Sequence, residues 1–306
     1  MITSFFNKSK PINYIIIFLL ALLGFVIAVF KYNTSAFNTF NSLKLLFNFG
    51  LTYLSIFVLN FIVKRNNLTQ DNTFAVLIYC LGLLLFPQAF LNVKIIISNL
   101  FIILALRRLL SLSSQKNTLS KLFDFGVLIA LAFLFNKWAI SVFFIGLVAL
   151  FYYPERRFNH FVLPFIGALF VSTLTYTVYL YAPEVLFYTD LVFYFKWLTF
   201  TSYTWQVNLA IAVFVFFALF ALLFYIPSIK HKKRIKQPAF YLVIIAFFTL
   251  MFVAVVQPLK TVSELLFVFM PLSIIVSNAL ENRRLKLVNE FFLIICFISI
   301  AIITFV

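Results

Sequence analysis

Six polar side chains mark where this sequence could act on a ligand: Glu184, Asp190, Lys196, Gln257, Lys260 and Glu264. Glu264 follows Lys260 by four residues, just after Pro258, a residue favoured in the first turn of a helix. A helix starting there sets Lys260 and Glu264 on one face, where they can pair and close the end of a cavity. Gln257 begins the same polar turn. Glu184, Asp190 and Lys196 fall in the aromatic-rich stretch 182–203, with Trp197 beside them. A carboxylate in apolar surroundings has the raised pKa that a general base needs, and a lysine meets a phosphate as a point charge. Glu264, Glu184 and Asp190 are therefore the candidate catalytic acids, and Lys260, Lys196 and Gln257 the candidate substrate-binding groups. The competing readings are solvated loop acids for Glu184 and Asp190, and an interfacial ion pair for Lys260 and Glu264. Pro271 lies inside the run that follows Glu264 and is expected to kink that helix and loosen its packing.

The elements that must position these groups are set by composition. The chain has 306 residues, 64% hydrophobic, 20% aromatic and only 10% charged, against about a quarter charged in a soluble domain. Apolar runs long enough to span a bilayer recur along the whole length, so residues 1–306 read as one integral membrane domain, an all-α polytopic helical bundle. The formal charge of +16 does not point to nucleic acid. The cations sit in short clusters between apolar runs, where they meet anionic lipid heads and set topology. Cys80 and Cys296 fall inside apolar runs and suggest neither a disulfide nor a metal site. His160 and His231 lie in basic loops without carboxylates to complete a metal set. Six glycines in the chain leave no phosphate-cradling loop. No cofactor is expected, nor a voltage-sensing arginine ladder or an inverted transporter repeat.

The stretch SIKHKKRIKQP, 228–238, orients the bundle. So dense a basic block between two apolar runs is a loop, and it belongs in the cytoplasm. Apolar runs fall at 13–30, 45–63, 73–86, 93–106, 122–135, 139–153, 161–181, 207–226, 239–256, 265–280 and 290–306. They give about eleven crossings, with the N-terminus inside and the C-terminus outside a bacterial inner membrane. Of the 24 Lys and Arg, six fall in outer segments: Lys31, Lys44, Lys94, Lys137, Lys196 and Lys260. Every arginine falls inside. The middle four runs are short, since about 14 residues reach only about 21 Å. They read as full hairpins extended into their flanks, the alternative being turns buried in protein. Asp124 and Glu290 open apolar runs, where the helix dipole favours an acid.

Two stretches carry a family resemblance. LLLFPQAFLN, a short helix, LRRLL, a polar loop and then KLFDFGVLIALAFLFNKWAI resemble the central region of the multi-spanning GT-C glycosyltransferases, which use polyprenyl-phosphate sugar donors. SELLFVFMPLSIIVSNAL is similar to a late helix of those enzymes, where a polar or acidic residue precedes a short run and a proline. The whole chain also resembles an uncharacterised integral membrane family of the Bacteroidota. The GT-C resemblance implies an outward-facing site, a lipid-phosphate-sugar donor and a catalytic acid in the first outer loop. Here that loop, 31–44, has no Asp or Glu, so the resemblance implies that another acid, such as Glu184 or Asp190, has taken the role, or that catalysis is lost.

The expectation is thus an inner-membrane protein of envelope glycan or lipid-linked sugar metabolism. The alternatives are a non-catalytic subunit of an envelope complex, meeting other membrane proteins, and a transporter of a lipid or amphiphile. The orientation is tested by cysteine labelling. A single cysteine at any of residues 230–236 should react with a membrane-impermeant reagent only after the membrane is opened. Labelling in intact cells would invert every loop.

Overall fold

The computed structural model describes residues 2–33, 39–152, 158–182, 204–257, 262–281 and 286–305. Among them there is no strand. Twelve α-helices run in chain order: α1 Ile2–Phe6, α2 Pro11–Tyr32, α3 Thr39–Asn66, α4 Phe74–Leu85, α5 Val93–Leu110, α6 Thr118–Phe135, α7 Val142–Tyr152, α8 Phe158–Tyr181, α9 Trp205–Ile229, α10 Gln237–Val256, α11 Leu266–Leu280 and α12 Lys286–Phe305. Single 3₁₀ turns cover Pro87–Phe90, Ser111–Ser114, Lys137–Ser141 and Ser263–Leu265. The all-α class expected from the sequence is what the chain forms.

Eight of the helical segments are long and apolar enough to cross a membrane, and this is a multi-pass membrane protein. Phe74–Leu85, Lys137–Tyr152 and Leu287–Ile303 are apolar but shorter. At 12 residues α4 is about 18 Å long, well short of a hydrocarbon core. The short helices are short for different reasons. Every residue of α4 and every residue of α11 is buried, and these two helices pack on each other at the centre of the bundle. Such a helix need not match the bilayer, because protein rather than lipid surrounds it. Phe269 of α11 holds the seam, its ring 5.9 Å from Tyr79 edge-on and 6.1 Å from Phe86. The outer helices carry the opposite pattern. On α8, Phe165, Leu169, Phe170 and Tyr176 are exposed, as are Phe216, Leu219 and Leu223 on α9. Exposed apolar stripes of this kind are the lipid-facing surface of a membrane bundle.

Side-chain contacts sort the helix ends into two groups. At one end Lys64 lies over Tyr14 (5.3 Å), Arg107 over Phe61 (4.7 Å), and Lys232 reaches Asn278 (3.2 Å). This basic end gathers the cations of 64–65, 107–108 and 230–236. At the other end the Pro87–Phe90 and Ser263–Leu265 turns pack together, and the Lys137–Ser141 turn packs on α10. Asn48 of α3 donates to the carbonyl oxygen of Phe90 there. The chain's extremities lie at opposite ends. Thr3 donates to the Glu290 carboxylate at the basic end, and Lys31 donates to the Ile303 carbonyl at the turn end (3.1 Å).

The closest helix approach is between α6 and α8. A Cβ placed on Gly126 would overlap the backbone carbonyl of Pro164. The same carbonyl cannot retreat, because Pro164 is itself buried within α8. Small residues that let two backbones touch are the usual means of helix association in lipid. Gly126→Ala should therefore lower the melting temperature in detergent, by the equivalent of about 1–3 kcal/mol. Gly50 is the control: nothing lies within 4 Å of its Cβ position, so Gly50→Ala should be neutral or gain up to about 1 kcal/mol. Equal losses at both positions would mean that the Gly126 contact is not tight.

Candidate functional site

The turn end holds the candidate acid. Glu264 sits in the 3₁₀ turn Ser263–Leu265 that leads into α11, and is 3% exposed, with Ser263 fully buried beside it. Gln257 caps α10, its N–H donating to Val253 O (3.0 Å). Its side chain is 4% exposed, and its Oε1 is buried without a donor. The turn packs against α10, α11 and the Pro87–Phe90 turn. A carboxyl group and an unsatisfied amide carbonyl are therefore enclosed at one end of the bundle, where the backbone polarity of the start of α11 adds to the field. Glu264 and Gln257 are the two sequence candidates that the described residues contain. Glu184, Asp190, Lys196 and Lys260 lie outside them.

One premise behind Glu264 is corrected. The four-residue spacing from Lys260 was to put both on one helical face. Val262, between them, has φ 62°, a left-handed conformation that a β-branched residue adopts only under constraint. It stops any helix running from Pro258 into Glu264, and regular helix begins only at Leu266. Spacing alone does not pair Lys260 with Glu264.

Pro271 is buried within a continuous α11. It lines a small, partly open apolar cleft with Leu106 and Leu110 of α5, Ile145 of α7, and Leu242 and Ala246 of α10.

Two acids read as helix-dipole partners have more specific roles. Asp124 lies in the second turn of α6 and forms an ion pair with Arg108 of α5 at 2.8 Å. Glu290 accepts from both the backbone N–H and the hydroxyl of Thr3, tying α12 to α1. His160, expected in a loop, is buried in the first turn of α8. Among the described residues no group of three or more His, Cys, Asp or Glu could hold a metal.

The basic end contains a polar centre that sequence reasoning passed over. Glu281 caps α11. Its Oε1 accepts from Gln70 N–H (2.7 Å) and Asn72 Nδ2 (2.6 Å). Asn72 Oδ1 in turn accepts from the N–H of Phe74, the first residue of α4 (3.1 Å). Asn278, one turn earlier on α11, donates to Leu68 O (2.9 Å) and accepts from Lys232 Nζ (3.2 Å). In the sequence Glu281 stands just before Arg283, Arg284 and Lys286. The available signal was the run NNLTQDN at 66–72, whose amides need partners if that loop is buried. Burial raises the pKa of Glu281, while the Asn72 and Gln70 donors and the Lys232 charge oppose that rise.

An enclosed two-helix centre, outer helices with apolar exposed faces and a polar cluster at each end together define a polytopic α-helical membrane protein. The chain belongs to DUF6427, a family of unknown function whose model matches residues 1–306. No curated protein and no solved structure matches it.

The Glu281 centre has a measurable titration. A carboxyl whose folded pKa is raised contributes stability that is full below its unfolded value and is lost as pH rises through the folded value. Wild type should therefore lose stability relative to Glu281→Gln as pH rises upward from about 4.5. Thermal melting of both proteins in detergent across that range is the measurement. Parallel curves would mean that Glu281 titrates normally.

Proposed function

We propose that this protein acts in envelope glycan or lipid-linked sugar metabolism in a bacterial inner membrane, with its working site at the turn end, facing outward. The observation that carries the reading is the enclosed Glu264 carboxyl, at the same end of the bundle as the unsatisfied Gln257 carbonyl. An enclosed carboxylate suits proton abstraction from a sugar or lipid hydroxyl, provided the hydroxyl comes within hydrogen-bond reach of it. Lys260 would meet a lipid-borne phosphate, and Lys196, Glu184 and Asp190 would complete the outer face. The GT-C resemblance supports a polyprenyl-phosphate sugar as donor. The segregation of cations to one end of the bundle supports the N-in, C-out topology with about eleven crossings.

A second reading is a non-catalytic subunit of an envelope complex. It is favoured by one observation: the first outer loop, 31–44, has no acid where the GT-C enzymes keep theirs.

Substitution of the acids separates the two. Under the catalytic reading, at least one of Glu264→Gln, Glu184→Gln and Asp190→Asn fails to restore wild-type envelope glycans in a strain lacking the gene, while the protein remains inserted and abundant. With one acid as the base, its loss should cost about 10²–10⁴ in turnover. If all three variants restore wild-type glycans in the deletion strain, the enzyme reading fails and the subunit reading stands.

A further inference from the structure

The basic end carries more positive charge than its acids balance, and the excess is local. Arg65 at the end of α3, Arg107 and Arg108 at the end of α5, and Lys121 of α6 are close enough for Arg107 to feel Arg65 and Arg108, and for Lys121 to feel Arg108. The carboxylate in this group, Asp124, is engaged by Arg108 at 2.8 Å. Lys121 is held by neutral acceptors, Ser111 O (2.6 Å) and Ser114 Oγ (2.7 Å). Among the described residues no carboxylate pairs with Arg65 or Arg107. Arg107 instead lies over Phe61, its guanidinium carbon 4.7 Å from the ring centroid. That contact fixes the guanidinium plane and leaves its donor edge for another acceptor.

What adjoins this charge is apolar and faces outward. Leu54, Phe57, Phe61 and Arg65 share one face of α3 by their helical spacing. The first three are 46%, 64% and 44% exposed. The ring that supports Arg107 is therefore also the top of a lipid-facing stripe. We infer that Arg65 and Arg107 bind the phosphate of an anionic phospholipid whose acyl chain lies along Leu54, Phe57 and Phe61. The arginine fork matches phosphate oxygens in geometry, and an interfacial site of low dielectric strengthens the contact. A free phosphate would use the arginines and leave the stripe unused. The lysine-rich block 230–236 differs: Lys232 lies over the Phe240 ring at 4.9 Å, but that ring is buried and offers no lipid-facing surface for an acyl chain.

The test uses the full-length protein in a neutral detergent. Phosphatidylglycerol is added in mixed micelles, and bound lipid is read by native mass spectrometry and by the shift in melting temperature. Wild type should bind saturably. The double variant Arg65→Gln/Arg107→Gln should need about tenfold more lipid or worse, since each interfacial cation is worth on the order of 1 kcal/mol. Lys233→Gln/Arg234→Gln should bind as wild type does. Inorganic phosphate at equal concentration should produce no shift. The inference is overturned if the double variant binds normally, if the control pair loses as much, or if inorganic phosphate stabilises equally. Should the double variant fail to fold, Arg65→Gln and Phe57→Ser, both at exposed positions, serve singly. Unchanged lipid binding in both would also overturn it.

Discussion

Much of this structure depends on two helices that touch no lipid. α4 and α11 are buried along their full lengths and run antiparallel against each other. A helix enclosed in this way gains the burial of every side chain but must find partners for its terminal backbone groups inside the protein. Both ends of the pair meet that demand. At the basic end, Asn72 takes the first N–H of α4, Glu281 binds Asn72 and the Gln70 N–H, and Asn278 reaches back to the Leu68 carbonyl. Thr73 is held from the other side by Phe6 O and by Asn13, which joins α1 and α2 to the same knot. At the turn end, the two 3₁₀ turns that close α4 and open α11 pack on each other. Polar contacts thus gather where the central helices begin and end, with Asn99 of α5 donating to the Tyr79 hydroxyl of α4 (3.0 Å) between them.

That arrangement explains what could be read from the chain and what could not. The helical class and the grouping of basic loops were legible, because runs of apolar residues between charges have one physical solution in lipid. The central position of α4 and α11 was not. Lipid tails are as apolar as leucine, so a helix surrounded by protein and a helix surrounded by lipid have the same composition. FAVLIYCLGLLL is apolar almost throughout, and the Ser273, Ser277 and Asn278 of LFVFMPLSIIVSNAL are no more polar than what neighbouring helices carry. Glu281 was hidden for a related reason. Its partners, Gln70 and Asn72, are more than two hundred residues away, and nothing local marks it among the cations that follow.

The candidate acid shows the opposite case. Glu264 was legible as an acid near the outer end of a run, and the structure encloses it more fully than an interface residue would be. Its local geometry was not legible. Spacing arguments assume continuous helix, and Val262 breaks the helix without any glycine or asparagine to announce a left-handed residue. Asp124 illustrates the same limit. Its place near the start of an apolar run suggested a helix-end charge, whereas its partner is an arginine on the preceding helix.

Glu264 and Glu281 open and close the same enclosed helix, and this constrains how either end can work. α11 cannot slide along its axis without breaking the Asn278 and Glu281 contacts at one end and the packed turns at the other. A pair of charges at a mobile loop could adapt to many ligands, whereas a carboxyl at the start of a helix fastened at its far end is held in place before any ligand arrives. Such preorganisation favours selective chemistry or tight recognition over broad transport. Pro271 lies between the two ends, where the backbone lacks a donor and a small apolar cleft adjoins the helix. Any movement that passes between Glu264 and Glu281 would have to be taken up there, because bending is the motion a helix fixed at both ends retains.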